Sequence, residues 1–416
     1  MFPVSGIPKT MRAVVYRGVN DLRLETVPVP RIGANELLVK VAVCGVCPTD
    51  IKKIQHGTVP PPRIFGHETA GTIVKIGSQK PEGRRLKSHS ALRTPHSEFK
   101  VGDRVALHHH VPCGDCHFCR HGAFAQCAAY KRTGITAGFE PAGGGYAEYV
   151  RVMPFVLPGV VKIPARNSFA EGAMLEPVNT ILKAVRRLNL LPGDSVLVAG
   201  QGPVGLMFTK ILQLRGIRVL ATDLLESRLK LARKFGAKWT LLAQPEVRSQ
   251  KSEARHQTSD VRPPASDLRL PASGLDSAVI AVPSDAAVMQ ALQLVRGGGQ
   301  VLLFAHTKRA EVGSQKSEAG SQRPEVGNPS SVLRPPSSDL RPLDFASICV
   351  DEKDLIGSYS SDFTLQAEVA RLVFSRRLDV RQLITHYFPL SETAKAIALA
   401  SRPTPDSLKI LVRPEA

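Results

Sequence analysis

Between residues 44 and 50 the chain reads Cys44-Gly45-Val46-Cys47-Pro48-Thr49-Asp50, so a thiol, a hydroxyl and a carboxylate lie close together from Cys47 onward. Gly66-His67-Glu68 adds an imidazole and a carboxylate, and Glu176 a further carboxylate. Thiolate, imidazole and carboxylate are the ligand types of a zinc centre that keeps one coordination position open for a reactant. Cys47 is the natural anchor of such a metal, whereas Cys44 reads as a packing residue. Taken singly, Cys47 could be a buried thiol and His67 a satisfied core histidine. Glu176 could simply complement a helix dipole, or act as a ligand or as a partner of one. It is their combination that favours a metal. His108-His109-His110 lies on a strand-like run where alternate side chains diverge, which argues against a common site.

Cys113-Gly114-Asp115-Cys116-His117-Phe118-Cys119, followed by Cys127, has the spacing C-x2-C-x2-C-x7-C. Four thiolates from one loop can close a tetrahedral site, which suits a structural zinc with no open position. An iron–sulfur cluster needs the same ligands, but the β context and the lack of a following Cys-Pro favour zinc. Gly200-Gln201-Gly202-Pro203-Val204-Gly205 follows the strand-like run Ser195–Ala199 and opens a helix pattern. Asp223 closes the next strand pattern. Glycines in that position let backbone amides and a helix N-terminus approach a pyrophosphate, and the carboxylate can accept the ribose hydroxyls. Pro203 and Val204 belong to the same turn. Asp223 would repel a 2′-phosphate, so NAD is expected over NADP; Arg228 nearby could flank the ribose.

The elements that would position these residues divide the chain. Residues 11–43 alternate in short apolar runs broken by Pro28, Pro30 and Gly33, a β pattern with tight turns. Gly71–Gly77 and the run into Val105 continue it. From Phe169 to Leu190 the period becomes helical, and strand and helix patterns then alternate through Phe304. That alternation predicts βαβ crossovers and a parallel sheet. The tail from Phe363 should pack back on the first half. Expected domains are 1–176 (mostly β), 177–357 (a doubly wound parallel sheet) and 358–416 returning to the first.

Three segments, 78–98, 244–273 and 308–342, break this rhythm. They are rich in Ser, Arg, Pro, Glu and Gln and resemble one another: Ser249-Gln250-Lys251-Ser252-Glu253 recurs as Ser314-Gln315-Lys316-Ser317-Glu318. They show neither a steady period nor an apolar face, so they read as one repetitive element inserted into surface connections and disordered.

The 416 residues are long enough for two domains with full cores. The formal charge of +19 raises the question of nucleic acid, but basic residues are scattered, aromatics are few and no nucleic-acid-binding module is visible. No apolar run reaches the length of a membrane span, and Met1–Thr10 does not read as a secretory signal. Cysteines at metal-ligand spacing point to a reducing compartment, most simply the cytoplasm.

These motifs, with Gly143-Gly144-Gly145-Tyr146-Ala147-Glu148-Tyr149-Val150 and Glu176-Pro177, resemble the zinc-dependent medium-chain alcohol dehydrogenases, in the sorbitol (L-iditol) and threonine dehydrogenase branch. The resemblance covers Met11 to Val412 outside the three insertions. It implies an α/β fold: a GroES-like, mostly-β catalytic domain plus a Rossmann domain, with hydride transfer between a secondary alcohol and NAD in the cleft. It implies Cys47 and His67 as ligands of a catalytic zinc, with Glu68 or Glu176 as the third. A second, structural zinc would sit on Cys113, Cys116, Cys119 and Cys127. Thr49 would pass the substrate proton outward, Asp50 would orient His67, and Thr180 would pack on the nicotinamide. The simple alcohol enzymes end their proton relay in a histidine where this chain has Lys52. The expected substrate is a polyol; an amino alcohol such as L-threonine or a cyclitol is the alternative within the class. A metal-binding scaffold disabled by the insertions is the non-enzyme alternative. Relatives imply a homodimer or homotetramer.

Overall fold

A computed structural model describes residues 6–78, 99–108, 111–129, 143–243, 271–305 and 345–415. The three inserted segments fall almost wholly outside these residues, as do His109 and His110.

The first half is antiparallel β. β1 (Thr10–Gly18) and β2 (Asp21–Pro28) form a hairpin flanked by the short β4 (Arg63–Ile64). A second sheet is built around β3 (Leu37–Gly45), which pairs with β5 (Glu68–Ile76); β6 (Arg104–Leu107) and β8 (Val161–Lys162) extend it, and β7 (Tyr149–Val152) pairs with β3. β3 is buried along nearly its whole length, because both of its faces are covered; its sequence is accordingly apolar at consecutive positions instead of alternating. The β3–β5 register sets Gly45 opposite Glu68 and Cys44 opposite Thr69.

The second half holds a six-stranded parallel sheet of β9 (Ser195–Ala199), β10 (Arg218–Asp223), β11 (Trp239–Leu242), β12 (Leu275–Ile280), β13 (Val295–Leu303) and β14 (Asp354–Gly357). Its spatial order is β11-β10-β9-β12-β13-β14. The order reverses beside β9, and the crevice at that switch point, past the carboxyl ends of β9 and β12, is where doubly wound sheets take a dinucleotide. β15 (Ile384–Pro389) and β16 (Lys409–Arg413) then return to the first half, where β16 pairs antiparallel with β3.

The helical pattern over Phe169–Leu190 resolves into two helices, Phe169–Ala173 and Leu175–Val185, separated at Met174. Pro177 explains the break: it has no amide to donate to Ala173, and proline is tolerated only in a helix's first turn. Ser168 and Glu171 form a reciprocal capping box on the first helix. The second helix packs into a core that joins the halves, with Val178, Ile181 and Leu182 beside Val43 and Ala70 of one sheet and Val196 and Val198 of the other. Each such fully buried aliphatic contributes about 1.5–3 kcal/mol.

Candidate metal centres and dinucleotide cleft

Cys47 ends the turn that leaves β3, and it is the N-cap of the helix Pro48–His56. Pro48 suits the first helical position, having no amide to leave unpaired. His67 precedes β5 and is buried. Its Nδ1 lies 3.1 Å from Oδ1 of Asp50, which is fully buried in the first turn of the same helix. Asp50 also accepts from the Gly66 amide at 3.2 Å. Burial alone would raise the Asp50 pKa; the charge of His67 and its hydrogen bond more than offset this and hold it below the usual carboxylate range. An ionised Asp50 can only accept, so Nδ1 carries the proton and Nε2 is left to ligate.

Ligand atoms of Cys47, His67 and Glu68 all lie within 4.8 Å of one another. Glu176, buried in the first turn of Leu175–Val185, is not in that compact set. Glu68 depends on Gly45 across the strand pair: a Cβ on Gly45 would fall 1.8 Å from Glu68 Oε2. From the other side Lys409, on β16 and 6% exposed, pairs with the Glu68 carboxylate and donates to the Val46 carbonyl at 3.0 Å. Burial lowers the Lys409 pKa, but the Glu68 charge more than offsets this and keeps the amine cationic. Burial also pushes Glu68 upward. One soft sulfur, one imidazole nitrogen and one carboxylate oxygen, the compact set here among the described residues, suit zinc with an open position.

Thr49 is half-buried beside Cys47, and Lys52 lies one turn further along, its pKa lowered by burial. Thr180 donates to the Pro177 carbonyl at 2.8 Å. Two residues lack any sequence flag. Lys409 is one, although a lone lysine inside the apolar run Leu408–Val412 was a usable signal. Tyr359 is the other: it follows β14, its carbonyl accepts from Lys183 Nζ at 2.9 Å, and its phenol feels the charges of His67, Cys47 and Glu176. His108 is buried, with Nε2 3.3 Å from Ser361 Oγ.

The four sulfurs of Cys113, Cys116, Cys119 and Cys127 form the second compact set. Cys116 and Cys119 lie 3.5 Å apart, and the Cys113 amide donates to Cys127 Sγ at 3.4 Å. Cys127 is fully buried and Cys119 nearly so; burial, reinforced by the neighbouring thiols, pushes Cys119 up to about 12. Such crowding of thiols is relieved when a dication replaces their protons.

In the Rossmann-type sheet, the turn after β9 runs from Gly200 (φ 90°) into the helix Pro203–Leu214, with Gly202 as its N-cap. A Cβ on Gly205 would meet the Gly200 carbonyl at 1.7 Å, so only glycine lets the helix start this close to the strand. Asp223 is held by backbone amides, accepting from Gln201 at 2.7 Å and Leu225 at 2.9 Å. Arg228 is buried, and its Nη2 donates to the carbonyls of Ser407 and Thr404. This cradle has the shape a pyrophosphate needs: a helix N-terminus, close-packed glycines and a carboxylate at the tip of the next strand.

Residues 33–165 match the alcohol dehydrogenase GroES-like domain, and residues 203–320 the zinc-binding dehydrogenase family. The chain is 27% identical over 414 residues to a sorbitol dehydrogenase of Bacillus subtilis, covering 98% of each. It is 32% identical over 241 residues to D-xylulose reductase A of Aspergillus oryzae, covering 55% of this chain and 60% of that one. In structure it is similar to an alcohol dehydrogenase of Thermus sp. ATN1, with a TM-score of 0.68 at 26% identity, covering 97% of this chain and 100% of that one. With the GroES-like sheet and the reversed parallel sheet both present, the chain is an oxidoreductase belonging to the zinc-dependent medium-chain alcohol dehydrogenase family, in its sorbitol dehydrogenase-like branch.

Proposed function

We propose that this chain oxidises a secondary alcohol of a polyol, of the sorbitol or L-iditol type, with NAD as hydride acceptor. The observation that carries the reading is the convergence of Cys47, His67 and Glu68 within 4.8 Å, with Asp50 fixing the histidine. The names of the full-length relatives supply the substrate class.

Zinc at this cluster supplies Lewis-acid polarisation of the alcohol oxygen, and the nicotinamide supplies the hydride acceptor. The rest is the work of the chain's own residues. Asp50 holds His67 in one tautomer and one orientation. Glu68 is the third ligand in this reading, and Lys409 keeps the charge of the carboxylate compensated. Thr49 takes the substrate proton outward. Thr180 supports the nicotinamide, and Asp223, preset by two amides, takes the adenosine ribose. A carboxylate at Asp223 leaves no room for a 2′-phosphate beside the ribose, and Arg228 is turned toward Ser407 and Thr404, which favours NAD over NADP. The four-cysteine loop holds a structural zinc.

Seven free cysteines suit a reducing compartment such as the cytoplasm. No described helix is long and apolar enough to cross a membrane. In the dimer or tetramer we propose, β14 is the pairing edge: it ends the sheet and is largely exposed, next to exposed Phe345 and Val350.

Metal analysis of purified protein, with NAD and NADP reduction measured over polyols, L-threonine and cyclitols, tests the reading. Two zincs per chain and NAD reduction with a polyol are expected. Activity confined to L-threonine would move the substrate, and zinc without dinucleotide binding would favour the disabled scaffold.

A further inference from the structure

One guanidinium belongs to both halves of the molecule. Arg228 rises from the first turn of the helix Glu226–Lys234, just past Asp223, and is 8% exposed. Its Nη2 donates to the carbonyls of Ser407 at 3.1 Å and Thr404 at 3.4 Å, in the turn that leads into β16. Ser407 stiffens that turn: its Oγ accepts from the Thr404 amide at 2.8 Å and donates to the Thr404 carbonyl at 3.1 Å. On the other side, Nη1 lies 3.2 Å from where a Cβ on Gly202 would stand. The middle glycine of the dinucleotide turn therefore also makes room for a cation. Arg228 Nε is buried without a hydrogen-bond partner among the described residues.

A planar fork of five donors can engage carbonyls along one edge and present the other elsewhere; an ammonium, a single point charge on a flexible stem, cannot. Among the described residues Arg228 forms no ion pair, and a buried cation met by neutral carbonyls is costly, so an anion beside Gly202 would be drawn to it. The diphosphate of a dinucleotide seated on the helix N-terminus is that anion. Ser407 stands two residues before Lys409, whose amine contacts both Glu68 and the Val46 carbonyl next to Cys47.

We infer that Arg228 is a positioning residue that couples dinucleotide binding to the placement of β16, and through Lys409 to the carboxylate and thiol of the metal cluster. The inference rests on the dehydrogenase reading above. A dinucleotide on the turn fixes the guanidinium, the guanidinium fixes the Ser407 and Thr404 carbonyls, and the strand that follows carries Lys409 to its place.

Hydrogen exchange on the full-length, zinc-loaded protein, with and without saturating NAD, reads this coupling directly. In the parent, NAD should slow exchange over Gln201–Leu206 and, by about fivefold or more, over Arg402–Leu408. In Arg228→Gln, with NAD raised to saturation, the slowing over Gln201–Leu206 should persist and that over Arg402–Leu408 should vanish. Arg228→Lys, which keeps the charge, should lose the same protection and about tenfold in kcat with little change in NAD affinity. Parental protection of Arg402–Leu408 in Arg228→Gln, or parental kcat in Arg228→Lys, would overturn the inference and leave the enzyme reading standing. Failure of millimolar NAD to protect Gln201–Leu206 in the parent would remove both.

Discussion

The two metal-type clusters of this molecule are built in opposite ways. The four-cysteine loop takes all its ligands from one stretch, 113–127, so its geometry is nearly self-contained. The Cys47–His67–Glu68 cluster draws on the turn after β3, the start of β5 and, through Lys409, a strand that lies more than 300 residues away in sequence. The first surrounds itself with sulfur and leaves no ligand position for chemistry. The second offers three different donors, and its geometry holds only while β3, β5 and β16 stay in register. Permanence is thus local, and reactivity is held by the whole fold.

Cysteine substitutions should give the largest and clearest contrast. Structural zinc is worth about 10–16 kcal/mol in zinc-finger peptides, so Cys119→Ser should cost one zinc per chain and lower the melting temperature sharply. Cys47→Ser should also cost one zinc, but the melting temperature should move by less than about 4 °C. Its kcat/KM should fall roughly 10³-fold, the size of a lost Lewis acid. Metal analysis, calorimetry and steady-state kinetics on both variants decide it. An inactive Cys119→Ser with parental stability would break the comparison.

Asp50→Asn tests the dependence of the open cluster on groups that touch no reactant. It should reduce zinc affinity or activity about 10–100-fold, because asparagine can no longer enforce the Nδ1 proton of His67. Competition with a chelator measures it, and zinc on the four-cysteine loop should be untouched.

The smallest effect should come from acid, through the capped helix Phe169–Ala173. Glu171 is buried, accepting from the Ser168 amide at 2.7 Å, Asn167 at 2.9 Å and Arg376 at 3.0 Å. Burial would raise its pKa, but these donors more than offset it and hold it below the ordinary 4.5. A depressed carboxylate stabilises fully above its unfolded pKa, and that contribution is lost as pH falls through the folded value. Glu171→Gln should therefore destabilise by about 1–2 kcal/mol at neutral pH and flatten the acid limb of the stability curve. A parental acid limb in urea titrations would show the network to be inert.

The same division between local and distant governs what can be read from the sequence. The cysteine spacing and the Gly200–Gly205 turn are local motifs, and each stands in the structure on the predicted elements. The parallel sheet follows from alternating periods, because crossover handedness leaves few topologies. The break at Met174 escaped because apolar spacing continues through it; only Pro177 marks it, and proline near a helix start carries little signal by itself. Lys409 escaped for a deeper reason: its partner is chosen by strand order, which no window of sequence contains. Glu68 and Glu176 were equally good ligands on paper, and the Gly45–Glu68 register is what separates their positions. Arg228 was placed near a ribose, but its carbonyl partners lie in the returning tail.

Cys44 gives the open cluster a property that space alone would not. It sits three residues before Cys47, sealed against Gly66 and Gly145, where a Cβ would come within 2.7 and 2.6 Å of its sulfur. Burial pushes its pKa up to about 12, against which the Thr69 hydroxyl acts only weakly. Burial thus disfavours the thiolate form of this sulfur and suits it to packing. The two glycines therefore work as a mould: a side chain at either would push on Cys44, and with it on the end of the strand that delivers Cys47.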